Sequence, residues 1–423
     1  MTVSIVFFLI ALIISIGFFG KWLFKVTRVP DALLLIGAGF ALRTLTGVDS
    51  EIFQLAAPFF GAFALVVILF EGGLHLEFHH LLKSWKNALT LMSLVFTVSL
   101  VLVAALMHMV FRYPLLNAAV LGAALACTSA AIIIPLIREV KVNQELKTVL
   151  ELESSLSDAF AVLITVTLLS IALDSNANSQ IGMLIFSSLT GSLIIGTVAG
   201  FAWTWLMGKY LGGQQLTYLM TFAVMLLVYA VCEFVHSSGV FGVFLFGLAY
   251  SNGPHLLSRF WPKPRQKQKV WDDTDTDVDI RSFHAELTFL VRTFFFVFLG
   301  LIFEPKEITL MLLTQAVSIY IMILAARYMV VKVIHLKGTA WEQRHSAKVL
   351  FLFMPRGLAS AVLATLPIQY GLTGTASFVN ITVLIILFTN LAITFGVRHI
   401  EKAAPDIIEK TNDTKAKSGI KPK

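Results

Sequence analysis

VLELESSLSDAFAVLITVTLLSIAL (residues 149–173) is a segment long and apolar enough to cross a lipid bilayer, yet it holds an aspartate near its middle. This aspartate, Asp158, lies eleven residues after Lys147, the last basic residue before the segment. Eleven helical residues at about 1.5 Å each put Asp158 roughly 16 Å deep, near the middle of a hydrocarbon core about 30 Å thick. A charged side chain at that depth costs at least about 2.5 kcal/mol, so the first hypothesis for Asp158 is a role in function.

The composition of the whole chain indicates an all-α membrane protein that crosses the bilayer many times. Of its 423 residues, 57% are hydrophobic and only 13% are charged, which leaves too little polar surface for a soluble domain. Cys127 and Cys232 both fall within apolar segments, so no disulfide framework is implied. The net charge of +7 is spread over short connections, which indicates membrane topology rather than binding of nucleic acid.

About thirteen apolar segments are predicted to span the membrane between residues 3 and 397. Lys and Arg concentrate in alternate connections, which by the positive-inside rule puts the N-terminus outside and the C-terminus in the cytoplasm. That orientation requires an odd number of spans. We therefore expect a multi-pass protein of the cell inner (plasma) membrane, in contact with lipid, with residues 1–400 as its transmembrane domain. Residues 401–423 are polar and are predicted to form a short, disordered cytoplasmic tail.

An odd number of spans also permits an inverted repeat, in which span n and span n+7 are equivalent and cross in opposite directions. The fifth span is interrupted by CTSAAIIIP (127–135), and the twelfth contains FMPRGLAS (353–360). Proline and small residues at membrane depth are typical of broken helices whose freed backbone groups line an ion site. The alternative for each span alone is a helix that the proline merely kinks.

Several oxygen-bearing side chains near Asp158 are candidate ligands. Ser154 lies one helical turn before Asp158, so the two side chains face the same way, and Ser157 is adjacent. In the fifth span, Thr128 and Ser129 offer hydroxyls and, where the helix unwinds, backbone carbonyls. These are hard oxygen donors of the kind that Na⁺ and K⁺ prefer. A monovalent cation bound by Asp158, Ser154 and Thr128 is therefore predicted.

Three further charged residues fall at or near membrane depth. Arg356, in the twelfth span, needs an acidic partner there, and Glu153 is the predicted one, which leaves Asp158 free. Glu71, at the end of the third span in ILFEGGL (68–74), is a second candidate acid. An interfacial residue beside flexible glycines is an equally good interpretation of Glu71.

Taken together, these motifs resemble the monovalent cation:proton antiporters, in particular the bacterial sodium/proton and potassium/proton exchangers of the electroneutral kind. The resemblance covers about residues 1–400. It rests on five motifs that occur in the same order, namely ILFEGGL (68–74), CTSAAIIIPLIRE (127–139), LELESSLSD (150–158), FFFVFLGLIF (294–303) and PRGLASAVLA (355–364).

The resemblance implies a role for each matching residue. Asp158 matches the aspartate that binds ion and proton, and Ser154 and Thr128 match ligands. Glu71 matches a second acid. Glu153 and Arg356 match a buried pair that joins two helices. Two positions depart from the family pattern: Ser157 replaces the usual Asn before the aspartate, and Ser129 replaces the acid that usually follows the threonine. The first departure leaves one essential carboxylate, and the second removes a negative charge near the helix ends.

The resemblance also implies an architecture and a mechanism. It implies a homodimer in which each chain has a core of two helix groups, about 87–173 and 308–397. This core moves against dimerisation or scaffold helices at about 1–74 and 181–303.

Because burial favours the protonated form of Asp158 and a bound cation favours the ionised form, proton and cation would exclude each other. One carboxylate alternately loaded gives 1:1 electroneutral exchange. No cofactor is expected, since GGQQLT (212–217) lacks the lysine of a nucleotide-binding loop.

Three alternatives stay open. A membrane-embedded hydrolase would also hold acids and serines at membrane depth, but no HExxH motif or Ser–His arrangement is present, so no enzyme is predicted. A gated K⁺ efflux channel could use the same scaffold. The acidic segment DDTDTDVD (272–279) alternates acids as a calcium loop does, but it lacks the turn glycine and the distal glutamate, so a solvated cytoplasmic loop is the better interpretation.

Overall fold

The structure is a computed structural model. It describes residues 3–27, 29–46, 50–76, 78–140, 142–173, 181–211, 216–260, 274–303, 308–336 and 344–417. The described residues form helices and no strand. The helices are α1 (Val3–Thr27), α2 (Asp31–Thr46), α3 (Ser50–Leu74), α4 (Phe78–Met109), α5 (Leu115–Ala126), α6 (Ala130–Glu139), α7 (Gln144–Leu173), α8 (Ile181–Leu206, continued by a π-helical turn, Met207–Leu211), α9 (Thr217–Phe234), α10 (Gly239–Phe260), α11 (Thr274–Ile302), α12 (Leu310–Leu336), α13 (Arg344–Leu352), α14 (Leu358–Gln369) and α15 (Phe378–Lys417).

The polytopic all-α fold predicted from composition is confirmed. Within the described ranges, eight helical segments are long and apolar enough to cross a membrane, and three shorter apolar helices accompany them. When α5 with α6, and α13 with α14, are each counted as one interrupted span, the described helices form thirteen units, as the sequence predicts.

Both predicted helix breaks are present. Cys127 and Ser129 have extended backbone conformations between α5 and α6, and residues 353–357 connect α13 to α14 without helix. Pro355 explains the second break, because proline has no N–H to continue α13 and disfavours helix at the preceding residue. At the first break, Thr128 and Ser129 carry hydroxyls that compete for backbone hydrogen bonds. The backbone N–H of Ser129 donates to the carbonyl of Pro355 (2.9 Å), so the two breaks meet.

The helices pack in two groups. The core group, α4–α7 and α12–α15, surrounds the breaks, and the scaffold group, α1–α3 and α8–α11, packs beside it, mainly through α14 against α3 and α7 against α10. Glycine permits very close approach inside the scaffold group. A Cβ on Gly39 of α2 would lie 2.0 Å from the carbonyl oxygen of Val297, and a Cβ on Gly300 would lie 2.1 Å from that of Ile36. The backbones of α2 and α11 are therefore in direct contact.

Two predictions near connections differ from the structure. The segment 401–417, predicted as part of a disordered tail, continues α15 as helix, because its Ala, Glu and Lys residues are good helix formers that can extend an existing helix. The predicted acidic loop is also shorter than expected, since α11 already begins at Thr274. The alternative of a calcium site at 272–279 falls on side chains outside the described residues.

Candidate functional site

The first break is held by side chains of α7. The Ser157 hydroxyl accepts a hydrogen bond from the backbone N–H of Thr128 (3.0 Å) and donates to the carbonyl of Ser154 (3.0 Å). The Thr128 hydroxyl donates to Glu153 Oε1 (3.3 Å) and lies 3.2 Å from Ser157 Oγ. Thr128, Ser157 and Glu153 are buried. The unwound backbone therefore finds in α7 the polar partners that the helix no longer supplies.

The Asp158 carboxylate, on α7, lies beside the N-terminal end of α6. The backbone N–H of Ala130, the first residue of α6, is 3.5 Å from Asp158 Oδ2. The carboxylate is buried, and within the described residues Oδ1 has no hydrogen-bond partner. A helix N-terminus carries partial positive charge, so it favours the ionised carboxylate. The free oxygen is then available to a proton or to a cation.

The second break lies against the first at Ser129. A Cβ added to Gly357 would lie 2.2 Å from Ser129 Oγ and 2.6 Å from Ser129 Cβ. Only glycine fits at this crossing, since Cβ contacts under 3.0 Å do not occur without movement. The predicted ligand Ser129 is therefore buried at the junction of the two breaks, beside Ala130 and Thr128.

The predicted ion pair between Glu153 and Arg356 is wrong. Glu153 is bound in a bidentate pair by Arg327 of α12, with Nη1–Oε1 at 2.7 Å and Nη2–Oε2 at 3.1 Å. Arg327 also donates to the carbonyls of Leu350 (2.7 Å) and Phe353 (3.1 Å), at the C-terminal end of α13. Arg327 does not lie in a basic connection, because α12 continues to Leu336 and buries it.

Arg356 instead binds backbone carbonyls. Its Nε donates to the carbonyl of Leu125 (2.6 Å), at the end of α5, and its Nη1 donates to that of Met354 (3.1 Å). Its own backbone is held by α15, where Thr389 Oγ1 accepts from its N–H (3.1 Å) and Asn390 Nδ2 donates to its carbonyl (3.0 Å). The two buried arginines thus stabilise the C-terminal ends of the two interrupted helices, where partial negative charge collects.

Sequence reasoning missed two residues of the site. The Cys127 thiol lies against the Asp158 carboxyl and 3.3 Å from the Ser360 hydroxyl of α14, and both Cys127 and Ser360 are buried. The sequence could have identified both residues, because Cys127 is the first residue of the predicted first break and Ser360 lies within FMPRGLAS (353–360) of the second.

Two predicted residues stand apart from the direct contacts. Ser154 is buried one turn from Asp158, but its hydroxyl donates to the carbonyl of Glu151 (3.1 Å). Glu71 is half-buried at the end of α3, where its carbonyl accepts hydrogen bonds from His75, and within the described part of the chain it makes no hydrogen bond to the Asp158 cluster. Among the described residues, no group of three or more His, Cys, Asp or Glu could hold a metal ion. The donors around Asp158 are mostly hydroxyl and backbone oxygens.

A family profile described as "Sodium/hydrogen exchanger, transmembrane" matches residues 8–400 of this chain, which include both breaks and Asp158. The chain belongs to the sodium/hydrogen exchanger family. The family profile covers nearly the whole region over which the sequence motifs resemble cation:proton antiporters, so that resemblance is confirmed.

Named relatives and a solved structure agree with the family. The chain is 23% identical over 332 residues to the K(+)/H(+) antiporter NhaP2 of Shewanella sp. (strain ANA-3), a match that covers 78% of this chain and 54% of the relative. It thus spans about half the length of that relative. It is 24% identical to the Na(+)/H(+) antiporter NhaH of Halobacillus aidingensis, over 91% of this chain and 94% of the relative. The sodium proton antiporter MjNhaP1 of Methanocaldococcus jannaschii has a similar fold, with a TM-score of 0.76 at 21% identity over 96% and 98% of the two chains.

Proposed function

We propose that this exchanger family member transports a monovalent cation, Na⁺ or K⁺, in exchange for H⁺, and that the two ions compete for Asp158. The observation that carries the proposal is the free, buried Asp158 Oδ1 beside the N-terminal end of α6. A buried carboxylate is costly when it is ionised and alone. Binding either a proton or a cation removes that cost, and binding one excludes the other.

The neighbouring groups support a cation with hard oxygen ligands. Thr128 and Ser129 bring hydroxyls and carbonyls from the first break, and Ser154 and Ser157 bring hydroxyls from α7. These donors are uncharged, so the charge of the bound cation is balanced by Asp158 itself. Discrimination between Na⁺ and K⁺ would depend on the size of the space that these oxygens enclose.

The pairing of Glu153 with Arg327 supports 1:1 electroneutral exchange. Because Arg327 neutralises Glu153, Asp158 is the one carboxylate of the cluster left to carry a proton or a cation. One carboxylate can accept one H⁺ or one monovalent cation at a time, so a complete cycle moves no net charge.

Alternating access would follow from movement of the core helix group against the scaffold helix group in a homodimer. The site lies on the interrupted helices of the core group, and half-helices that meet at a site are the usual arrangement of secondary transporters. Such a protein would reside in the inner (plasma) membrane with its N-terminus outside and its C-terminus in the cytoplasm. The ion gradients would supply the energy.

The test is proton flux in proteoliposomes that contain a pH-sensitive dye, challenged in turn with Na⁺, K⁺ and Li⁺. We expect cation-driven alkalinisation that is indifferent to a voltage set by valinomycin, with a valinomycin-free control for K⁺. Asp158→Asn should abolish it, because an amide cannot exchange a proton at neutral pH. Flux that follows the voltage would indicate the channel alternative, and flux that survives Asp158→Asn would contradict the proposal.

A further inference from the structure

Arg292 is an arginine inside the apolar run TFLVRTFFFVF (288–298) of α11, a helix of the scaffold group. It forms an ion pair with Asp31, the first residue of α2, through Nη2–Oδ2 at 2.5 Å. Both side chains are largely buried, with 15% and 10% of their surfaces exposed. The cation:proton chemistry proposed above assigns no task to this pair.

The second contact of Arg292 crosses from the scaffold group to the core group. Its Nη1 lies 3.5 Å from the carbonyl oxygen of Ala131, in the first turn of α6. In an α-helix that carbonyl would accept from the N–H of residue 135. Residue 135 is proline and has no N–H, so Ala131 has lost its intrahelical donor. Arg292 supplies a donor in its place.

The contacted turn is also the turn that holds the ion site. Ala130 donates its N–H to Asp158, and the next residue, Ala131, receives Arg292. A continuous series of polar contacts therefore runs from Asp158 through the start of α6 to Arg292 and Asp31. One end belongs to the core group and the other to the scaffold group.

We propose that Arg292, oriented by Asp31, docks the first turn of α6 to the scaffold at the carbonyl that Pro135 leaves free, and so stabilises one of the two orientations of the transport cycle. This inference rests on the proposed exchange function and adds a positioning residue to it. The contact joins two groups that must shift relative to each other, so it exists in one orientation and breaks in the other. A contact made in only one of two states shifts the equilibrium between them.

Two features of the pair suit such a contact. Asp31 compensates the charge of Arg292, so the guanidinium can remain buried without repelling a cation near α6. Arg292 Nε is buried, and within the described residues it has no hydrogen-bond partner. That donor is spare in this orientation and can be used in the other.

Two single substitutions remove the same contact by different routes. Arg292→Gln deletes the charged donor, whereas Pro135→Ala leaves Arg292 and Asp31 in place and returns an N–H to the Ala131 carbonyl. In proteoliposomes, we expect both variants to retain cation-dependent proton exchange and to shift the half-saturating cation concentration in the same direction, by about two- to thirtyfold. The double variant should shift it no further than the larger single effect.

The matched controls remove the same residue types elsewhere. Arg43→Gln deletes an arginine that donates to the carbonyls of Ile302 (3.3 Å) and Phe303 (3.0 Å) within the scaffold group. Pro254→Ala removes a proline inside α10. Both controls should leave the half-saturating concentration within about twofold of wild type. Shifts in Arg292→Gln and Pro135→Ala no larger than these, or fully additive shifts in the double variant, would overturn the inference.

Hydrogen–deuterium exchange tests the contact between Arg292 and α6 independently of transport, through the exchange rate of the α6 backbone. Peptides from 130–139 should exchange faster in Arg292→Gln than in wild type or Arg43→Gln, whereas peptides from 358–369 should not change. Unchanged exchange at 130–139 would also overturn the inference. A wild-type protein that shows no cation-dependent proton flux would instead contradict the proposed function, and the exchange data would still decide on the docking contact.

Discussion

At the scale of single residues, the site depends on which buried charges are compensated and which are not. Arg327 neutralises Glu153 and binds two carbonyls at the end of α13, and Arg356 binds two carbonyls near the breaks. Asp158 Oδ2 accepts from the Ala130 N–H and the Cys127 thiol lies against the carboxyl, but within the described residues Oδ1 has no hydrogen-bond partner. The structural carboxylate and the carboxylate that we assign to transport lie five residues apart on the same helix, and their partners separate their roles.

Removing Arg327 should destabilise the protein strongly. Arg327→Gln leaves Glu153 as a buried charge without its partner, which costs about 3–5 kcal/mol. We expect a clear fall in the midpoint of thermal unfolding of the purified protein in detergent. Arg138→Gln is the control, because the Arg138–Glu151 pair is exposed and contributes only about 0–1 kcal/mol.

The double variant Glu153→Gln/Arg327→Gln tests the cause. It removes both charges, so it should unfold at a higher temperature than Arg327→Gln alone. A double variant less stable than Arg327→Gln would mean that packing, rather than the unpaired carboxylate, accounts for the loss.

The residue scale is also where the sequence was least informative. Asp158, Thr128 and Ser157 could be found because polar side chains are rare at membrane depth. The partner of Glu153 could not, because both Arg327 and Arg356 lie on the far part of the chain, and helix packing rather than spacing decides which guanidinium reaches it. Arg292 offered the same signal as Arg356, an arginine within an apolar run, and was overlooked.

At the scale of secondary-structure elements, the crossing of the two breaks is the decisive feature. Both breaks were predictable, since Pro355 and the small and hydroxyl residues at 127–129 oppose continuous helix. Their contact was not, because the hydrogen bond from Ser129 to Pro355 joins segments more than two hundred residues apart. An inverted repeat makes the two segments equivalent, but it does not determine the distance between them.

Gly357→Ala should impair exchange by forcing the breaks apart. The new methyl group would lie 2.2 Å from Ser129 Oγ, and Ser129 is buried, so it has little room to move away. We expect the rate of cation-driven proton flux to fall by about tenfold or more, as for a misplacement of about 1 Å at a reacting site. Gly37→Ala is the control, because a Cβ there meets nothing within 4 Å.

Space at the crossing can be returned by a second substitution. Ser129→Gly added to Gly357→Ala removes the side chain that the methyl group would meet, so part of the lost rate should return. If the double variant is slower than Gly357→Ala alone, either the hydroxyl of Ser129 is itself required or the clash is not the cause. Ser129→Gly alone separates these two explanations.

At the scale of the whole molecule, we expect the two termini on opposite sides of the membrane, because the described helices form thirteen units and an odd number of crossings separates the two ends of a chain. Green fluorescent protein fused after residue 423 should fluoresce, and alkaline phosphatase fused before residue 1 should be active outside. The basic connections explain this expectation through the positive-inside rule. Both termini on one side would require an even number of crossings and would rule out the repeat of spans n and n+7.

Composition and hydropathy were sufficient to predict the fold class and the thirteen helical units of the described residues, because the bilayer fixes the length and polarity of every crossing segment. The arrangement of the core group against the scaffold group was not accessible in the same way. It depends on close helix contacts such as the one between α3 and α14, where a Cβ on Gly61 would lie 2.9 Å from Val362 Cγ1, and such contacts leave little trace in hydropathy.

In the proposed mechanism proton and cation compete for Asp158, and the dependence of the half-saturating cation concentration on pH measures that competition. In proteoliposomes with equal pH on both sides, lowering the pH should raise that concentration, approaching roughly tenfold per pH unit once the site is mostly protonated, while the maximal rate at saturating cation changes much less. A half-saturating concentration that stays constant with pH, together with a maximal rate that falls, would mean that protons and cations bind at different sites and would contradict this account.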